Sequence, residues 1–352
     1  MNAPDRAALR LTDFSHGGGC GCKVAPAVLQ QMLAGVSTAP VPRELLVGLE
    51  TSDDAAVYQI NEKQAIVATT DFFTPIVDDP FDFGAIAATN AFSDVYAMGG
   101  TPLFALALVG MPVGKLPLEI IRGILQGGEA ICAKAGVPIA GGHTIDAPEP
   151  IYGLAAIGMV DPKKLKRNAG ARPGDTLVLG KPLGVGIYSA ALKKGRLAAD
   201  RYATMVATAT QLNTPGVLLA GLDAVHAMTD VTGFGLLGHL LGMCRASGVG
   251  ARIHFDRIPL LAGAAELAGA GFATGASGRN WASYGGEVSL GAGVGELQRT
   301  LLTDPQTSGG LLVACASTAL DRVLAIFGEE GFASAVIGEV VESSPRVEVT
   351  SQ

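Results

Sequence analysis

Four aspartates in the first third of the chain stand at the ends or edges of apolar segments. Asp53 and Asp54 precede AAVYQI, Asp71 follows AIVATT, and Asp94 interrupts FGAIAATNAFSDVYAMGG. An ionised carboxylate beside buried apolar structure costs free energy unless a cation or a hydrogen-bond donor compensates it. Hard divalent cations such as Mg2+ take oxygen ligands of this kind and bridge them to phosphates. The stretch 51–100 therefore predicts a cradle for a metal-bound nucleotide.

Each of these aspartates also has a simpler interpretation as a turn or helix N-cap residue. For Asp53 the turn or N-cap interpretation is at least as well supported as the functional one. Asp71 and Asp94 are flanked by apolar sequence, which makes capping a weaker explanation. Asn90 precedes Asp94 by four residues in a segment with helical spacing, so both side chains share one helix face. A metal–phosphate role is the favoured hypothesis for Asp71 and Asp94.

A further aspartate, Asp230, follows the short apolar segment Val225–Thr229 in the second half of the chain. It could cap a helix that opens at Gly233, or it could reach the same cradle as a metal ligand, and the sequence favours neither. The dipeptide Thr-Asp follows a strand-like segment both here and at 70–71, which is compatible with two related halves. No P-loop motif occurs, so metals, lysine and glycine amides would have to hold phosphates.

The segment SHGGGCGCK (15–23) carries two thiols and a lysine among glycines. We expect a mobile loop that can close over a distant active site as a lid. Cys20 and Cys22 could form a soft-metal site, although two thiolates leave zinc short of ligands. They could also be nucleophiles or an incidental loop. The ammonium of Lys23 would favour the reactive thiolate.

Two other segments place polar residues beside predicted strands. Gly142-His143-Thr144 follows the predicted strand Val137–Ala140, and its glycines would let a ligand approach the backbone; a plain turn is the alternative. The segment DPQTSGG (304–310) precedes another strand, and ordinary turn chemistry is the favoured interpretation there.

Length and composition limit the class of protein. The chain has 352 residues, of which 49% are hydrophobic and 48 are glycine, so we expect two domains with a sizeable core. A net charge of −7 argues against a sequence-independent nucleic-acid binder. The longest apolar runs fall short of the roughly 20 residues of a membrane-spanning helix, and the N-terminus lacks a secretory signal. Five cysteines fit a reducing compartment, so we expect a soluble cytoplasmic protein.

Apolar segments with strand and helix patterns alternate on both sides of the basic, polar piece KKLKRNAGARPGD (163–175). We predict a flexible N-terminal segment at 1–47, an N-terminal domain at 48–162 and a C-terminal domain at 170–352. A short helix is expected at Ala25–Gly35. The segment Ala273–Gly295 is glycine-rich, and we expect it to be irregular.

Seven motifs together resemble the selenophosphate synthetase (selenide, water dikinase) family: HGGGCGCK, TSDDAAVY, TTDFFTP, ATNAFSDVYAMGG, AGGHTIDAPEP, AMTDVTGFGLLGH and LTDPQTSGGLL. They stand in the family's order and span about 11–339. The resemblance implies an α+β fold with the two-domain architecture of aminoimidazole ribonucleotide synthetase, each domain a mixed sheet packed with helices. It also implies a homodimer formed through the N-terminal domain. The alternatives are another ATP-dependent enzyme of this superfamily, or a non-catalytic nucleotide-binding protein that delivers selenium.

The resemblance further implies a reaction. ATP, selenide and water would give selenophosphate, AMP and orthophosphate, supplying activated selenium for selenoprotein and selenouridine-tRNA synthesis. By motif, Cys20 corresponds to the catalytic cysteine and Lys23 to the lysine important for turnover. The positions that would contact the nucleotide are Lys23, Thr51, Ser52, Asp53, Asp71, Asp94, Gly142, His143 and Thr144. The positions that match metal ligands are Asp54, Asp94 and Asp230. They would hold several Mg2+ ions, and a monovalent cation such as K+ is a further candidate. No nucleic-acid or membrane partner is expected.

Overall fold

The computed structural model describes residues 9–24, 28, 31–32, 41–48 and 53–351. These residues form two mixed β-sheets, each packed with helices, which confirms the predicted α+β architecture. The predicted helix Ala25–Gly35 lies mostly outside the described residues, and Thr51 and Ser52 lie entirely outside them. None of the helices in this described part of the chain is long and apolar enough to cross a membrane.

The N-terminal sheet has the strand order β1-β2-β3-β6-β4-β5. Its strands are β1 (Leu45–Val47), β2 (Ala56–Asn61), β3 (Gln64–Phe73), β4 (Thr101–Met111), β5 (Ile139–Asp146) and β6 (Ile151–Val160). Two helices accompany it, α1 (Pro80–Ala97) and α2 (Leu118–Lys134). Side chains along β3 alternate between the two faces of the sheet, so buried Asp71 and Phe73 lie on the α1 side and exposed Phe72 on the other.

Helix α1 is buried along nearly its whole length, because it contacts the N-terminal sheet, α2 and the C-terminal half of the chain. Its start is set by Asp79, whose side chain accepts a hydrogen bond from the Asp82 backbone, with Pro80 in the first turn. Where α1 crosses α2, a Cβ atom at Gly84 would lie 1.8 Å from the Ile124 carbonyl oxygen. Only glycine therefore permits this close crossing.

The C-terminal sheet has the order β10-β13-β9-β12-β7-β11-β8. Its strands are β7 (Asp175–Leu179), β8 (Val225–Asp230), β9 (Gly250–His254), β10 (Val288–Leu290), β11 (Leu311–Ala316), β12 (Ala335–Val341) and β13 (Val347–Thr350). Its helices are α3 (Val185–Lys193), α4 (Ala199–Ala209), α5 (Pro215–Ala220), α6 (Gly235–Ser247), α7 (Ala264–Gly269), α8 (Gly275–Tyr284), α9 (Glu296–Leu302) and α10 (Leu320–Glu329).

Two local predictions are wrong. The segment Ala273–Gly295 is not irregular, since it contains α8 and β10. Gly142-His143-Thr144 is not a turn, because it lies inside β5, which pairs in parallel with β4. A Cβ atom at Gly142 would lie 2.2 Å from the Ala107 carbonyl oxygen, so glycine serves close strand pairing here instead of a turn.

Candidate active site

Carboxylates from both sheets converge beside α1. Asp71 stands near the end of β3, Asp94 lies on α1, Asp230 ends β8, and Asp54 precedes β2. Asp71, Asp94 and Asp230 are 5%, 8% and 1% exposed, so the cluster is buried. The structure thus brings together the three predicted metal ligands and one predicted nucleotide contact.

A hydroxyl group from a neighbouring element orients each of three carboxylates. The hydrogen bonds run from Thr69 Oγ1 to Asp94 Oδ2 (2.6 Å), from Thr229 Oγ1 to Asp54 Oδ1 (2.8 Å) and from Ser93 Oγ to Asp230 Oδ2. Asn213 Nδ2 in turn donates to Ser93 Oγ at 2.8 Å. These donors fix the carboxylates but carry no charge, so the negative charge of the cluster still requires a cation.

The surroundings of the carboxylates disfavour their ionised form. Burial raises the pKa of Asp54 and of Asp94 well above the ordinary value, and the charge of Asp230 raises both further. Burial also raises the pKa of Asp230 to about 6. Ionising carboxylates of this kind has a free-energy cost that a bound cation would remove.

The donor set fits divalent metal ions. Asp54, Asp230 and His239 each place a ligand atom within 4.8 Å of the others. The buried Oδ2 atom of Asp54 has no hydrogen-bond partner among the described residues, which is costly unless a cation lies there. Mg2+ prefers carboxylate oxygens, so Asp54, Asp94 and Asp230 are the residues that would hold it.

His239 is a site residue that the sequence analysis missed. Its Nε2 atom accepts a hydrogen bond from the Thr232 backbone N–H at 3.1 Å, and its ring stacks on Phe234. Burial lowers the pKa of His239 to about 3, so the imidazole is neutral. The sequence signal for this residue was a single histidine at the end of the apolar segment GLLGH (235–239), which follows the Thr-Asp dipeptide at 229–230.

The cysteine segment lies closed over the cluster. Gly19–Cys22 form a 3-10 turn, and Cys20 is 1% exposed. The Cys20 thiol donates to Asn90 Oδ1 at 3.3 Å, and its backbone N–H donates to Thr307 Oγ1 at 3.2 Å. Burial raises the pKa of the Cys20 thiol well above its usual value, although the charge of Lys23 opposes this. Lys23 thus favours the thiolate, as expected, but burial outweighs its charge in this closed arrangement.

Lys23 reaches past the turn into the carboxylates. Its Nζ atom donates to Asp71 Oδ2 at 2.9 Å. Burial works to lower the pKa of Lys23, but the charges of Asp71, Cys20 and Asp94 outweigh it and leave that pKa well above the usual value. The ammonium is therefore held in its charged form beside the cluster.

The segment 304–310 is not the plain turn that its sequence favoured. Ser308 is fully buried at φ 53°, and among the described residues no other residue except glycine has a positive φ. Its N–H donates to Asn90 Oδ1 at 2.7 Å, and its carbonyl accepts from Lys181 Nζ at 2.8 Å. Asn90 Nδ2 donates onwards to Asp71 Oδ2 at 2.7 Å. This segment therefore braces α1 and the carboxylates from the C-terminal half.

Other predicted site residues lie apart from this cluster or have a structural partner. Asp53 Oδ1 accepts a hydrogen bond from the backbone of Asn168, in the connection between the sheets, at 2.8 Å. Gly142 stands in the same cross-strand row as Asp71, with one residue of β6 and one of β4 between them. Three strand spacings separate the two residues by roughly 14 Å. The structure thus does not join Gly142, His143 and Thr144 to the cluster.

The position of Asp230 excludes one of its two alternatives. Helix α6 begins at Gly235, and no side chain caps it. Asp230 instead ends β8 and bonds Ser93. The N-cap interpretation of Asp230 is therefore wrong.

Comparison with known proteins decides the family. Residues 52–160 match the family "AIR synthase related protein, N-terminal domain", and residues 172–350 match "AIR synthase related protein, C-terminal domain". The selenide, water dikinase of Dechloromonas aromatica (strain RCB) is 66% identical over 342 residues, which cover 97% of this chain and 98% of that protein. The chain belongs to the selenide, water dikinase family.

A second family member supports this assignment. The selenide, water dikinase of Burkholderia pseudomallei (strain K96243) is 63% identical over 347 residues, 98% of each protein. Among solved structures, thiamine-monophosphate kinase from Stenotrophomonas maltophilia K279a aligns with a TM-score of 0.64 and 19% identity. The alignment covers 88% of this chain and 92% of that one, which shows a shared fold. The resemblance drawn from the seven motifs is confirmed.

Proposed function

We propose that this protein makes selenophosphate from selenide, ATP and water, releasing AMP and phosphate. The observation that carries the proposal is the meeting of Asp54, Asp94 and Asp230, drawn from both halves of the chain, beside the Cys20–Lys23 turn. Such a cluster suits a metal-bound triphosphate, and the nearby thiol suits a soft selenium substrate.

The chain's own residues would prepare the site for phosphoryl transfer. Mg2+, when bound, supplies charge neutralisation at the phosphate oxygens. Asp54, Asp94 and Asp230 would hold it, with their orientations fixed by hydroxyl donors. Lys23, held by Asp71, stands ready to contact a phosphate group that enters the cluster. The closed turn with Cys20 excludes water from this side of the site.

The thiol of Cys20 would act after the turn opens. In the closed arrangement burial raises the pKa of Cys20, which favours the neutral thiol. Opening the turn would expose Cys20 to water and so remove the burial that disfavours its thiolate. We therefore assign Cys20 to the handling of selenide and Lys23 to the handling of phosphate. A role for K+ and the nucleotide contacts of Thr51, Ser52, Gly142, His143 and Thr144 stay predictions.

We place the reaction in the cytoplasm. All five cysteines of the chain are free thiols, and free thiols persist in reducing compartments.

We also infer a homodimer formed through the N-terminal sheet. The helices accompany one face of this sheet, while the other face presents apolar side chains to solvent. Tyr58, Phe72 and Ile145 on three different strands are 44%, 51% and 55% exposed. A sheet with one uncovered apolar face is typical of an association surface. A second copy of this chain is the occupant that we propose.

The deciding experiment is selenide-dependent turnover followed by 31P NMR under anaerobic conditions. We expect AMP and a selenium-bearing phosphate from the wild type, and loss of both from Cys20→Ser and Lys23→Ala, with circular dichroism unchanged. Lys63→Ala, in the exposed β2–β3 turn, is the matched control and should keep full activity. Full activity in Cys20→Ser would contradict its role. ATP binding without AMP release in the wild type would instead identify a nucleotide-binding delivery protein.

A further inference from the structure

A cavity of about 590 Å3 lies on the outer side of the cysteine turn. Gly21, Cys22 and Lys23 form one of its walls, and α3 and the start of α8 form the others. Neither Cys20 nor any aspartate of the cluster lines it. The turn therefore separates two compartments, and its two cysteines face different sides: Cys20 bonds Asn90, whereas Cys22 faces the cavity.

The cavity wall is positively charged. Lys193, Lys194 and Arg279 line it, and within the described part of the chain no carboxylate forms an ion pair with any of them. No Asp or Glu among the described residues lines the cavity either. These cations make the electrostatic potential positive at the cavity wall, although the chain has a net charge of −7.

Two of these cations are anchored to the segment that carries the thiols. Lys193 Nζ donates to the Ser15 carbonyl at 2.9 Å, and Arg279 Nη2 donates to the Gly21 carbonyl at 3.0 Å. The ammonium of Lys194 lies 5.4 Å from the centre of the Phe272 ring. Because carbonyl oxygens and rings do not cancel a full charge, all three cations keep an attraction for a small anion.

The opposite side of the turn is lined by acidic side chains and offers a small anion less attraction. Asp54, Asp71, Asp94 and Asp230 stand there, and among the described residues Lys23 forms an ion pair with one of them, Asp71. Hydroselenide is negatively charged at neutral pH, so the cations of the cavity attract it and the acidic side chains do not. Approach through the cationic cavity is favourable and ends at Cys22, two residues from Cys20.

We propose that this cavity is the entry site for the selenium substrate, a small anionic chalcogenide, which it concentrates at Cys22 before the anion reaches Cys20. The proposal rests on the proposed function and adds a route and a set of residues to it. Lys193 and Arg279 attract the anion and hold the wall of the turn in place.

The first test measures the effect of the cavity's charge on Cys22 without measuring turnover. Cys22 is alkylated with iodoacetate, an anion, and in parallel with neutral iodoacetamide, and the rates are read by peptide mass spectrometry. We expect the ratio of the two rates to fall about tenfold in Lys193→Met/Arg279→Met, roughly threefold for each charge. The charge-conserving variant Lys193→Arg/Arg279→Lys should keep the wild-type ratio. The same ratio in the wild type and the Met variant would overturn the proposal.

The second test is steady-state kinetics with selenide. In Lys193→Met/Arg279→Met, KM for selenide should rise by about tenfold, with kcat and KM for ATP unchanged. As the salt concentration increases, kcat/KM for selenide should fall more steeply in the wild type than in this variant. A lower alkylation ratio with an unchanged KM for selenide would overturn the entry role and leave the proposed function intact. Protection of Cys22 from iodoacetate by inorganic phosphate, at constant ionic strength, would assign the cavity to a phosphate-bearing product instead. Absence of selenide-dependent AMP in the wild type would refute the proposed function itself.

Discussion

Removing the charge of Asp230 is expected to stabilise the metal-free protein while abolishing most of its response to Mg2+. Burial raises the pKa of Asp230 from 3.8 to about 6 in the folded protein. The folded state therefore binds the proton more tightly than the unfolded chain does. As pH rises from 3.8 to about 6, the free energy of unfolding falls. Above about pH 6, the full free-energy cost of ionising Asp230 in the folded protein is present.

The magnitude follows from the two pKa values. A difference of about two units corresponds to about 3 kcal/mol, at roughly 1.4 kcal/mol per unit. Asp230→Asn removes this penalty and keeps an oxygen that accepts the hydrogen bond from Ser93. Its advantage over the wild type should grow from about 1 kcal/mol near pH 4.5 to about 3 kcal/mol near pH 7.5. For a protein of this size that is a shift in Tm of about 4 °C.

The assay is thermal unfolding in chelator and again in excess Mg2+, at both pH values. In the wild type Mg2+ should raise Tm most at the higher pH, because it compensates charges that are present there. Asp304→Asn is the matched control. Asp304 is another buried acid, whose pKa burial raises to about 7, and it accepts hydrogen bonds from Gly186 and Gln306. It should gain stability at high pH and keep the full Mg2+ response. Equal Mg2+ stabilisation of Asp230→Asn and the wild type would refute the metal cradle.

Two further predictions concern the brace at α1 and the open sheet face. Asn90→Leu leaves the Ser308 N–H and the Cys20 thiol without an acceptor and removes one of the two donors to Asp71 Oδ2, so urea unfolding should show a loss of about 2–5 kcal/mol. Thr89→Val, whose hydroxyl bonds only a carbonyl within α1, should stay within about 1 kcal/mol of the wild type, and equal losses would count against the brace. Phe72→Glu places a charge on the open face and should give a monomer by sedimentation equilibrium. Phe81→Glu, equally exposed but on α1, should leave the mass unchanged; a Phe72→Glu dimer would exclude this face.

Much of the carboxylate cluster was predictable because the sequence marks it locally. Asp71 and Asp230 stand at the ends of apolar strands, where a polar residue contrasts with its neighbours. Asn90 and Asp94 share a helix face by their spacing alone. The strands and helices around them follow from hydrophobic periodicity, since most of those segments are amphipathic or continuously apolar.

The rest depended on contacts between segments that are distant in sequence. The residue types of 304–310 predict a turn, but the role of this segment depends on the contact of Ser308 with Asn90 on α1. Lys23 stands beside the thiols in sequence and favours the thiolate, but burial of Cys20 is a tertiary effect that outweighs it. The extended conformation of Gly142 comes from pairing with β4, which a glycine-rich segment does not signal.

The sharing of the carboxylates between the two halves has a consequence for biosynthesis. Asp71 and Asp94 are translated well before Asp230 and its strand. The nascent N-terminal half would therefore leave the ribosome with an incomplete acidic cluster. Ser93 would lack its hydrogen-bond partner until Asp230 is made. Emergence of Asp230 and its strand from the ribosome, rather than completion of the first sheet, is then the earliest moment at which the carboxylate cluster can be completed.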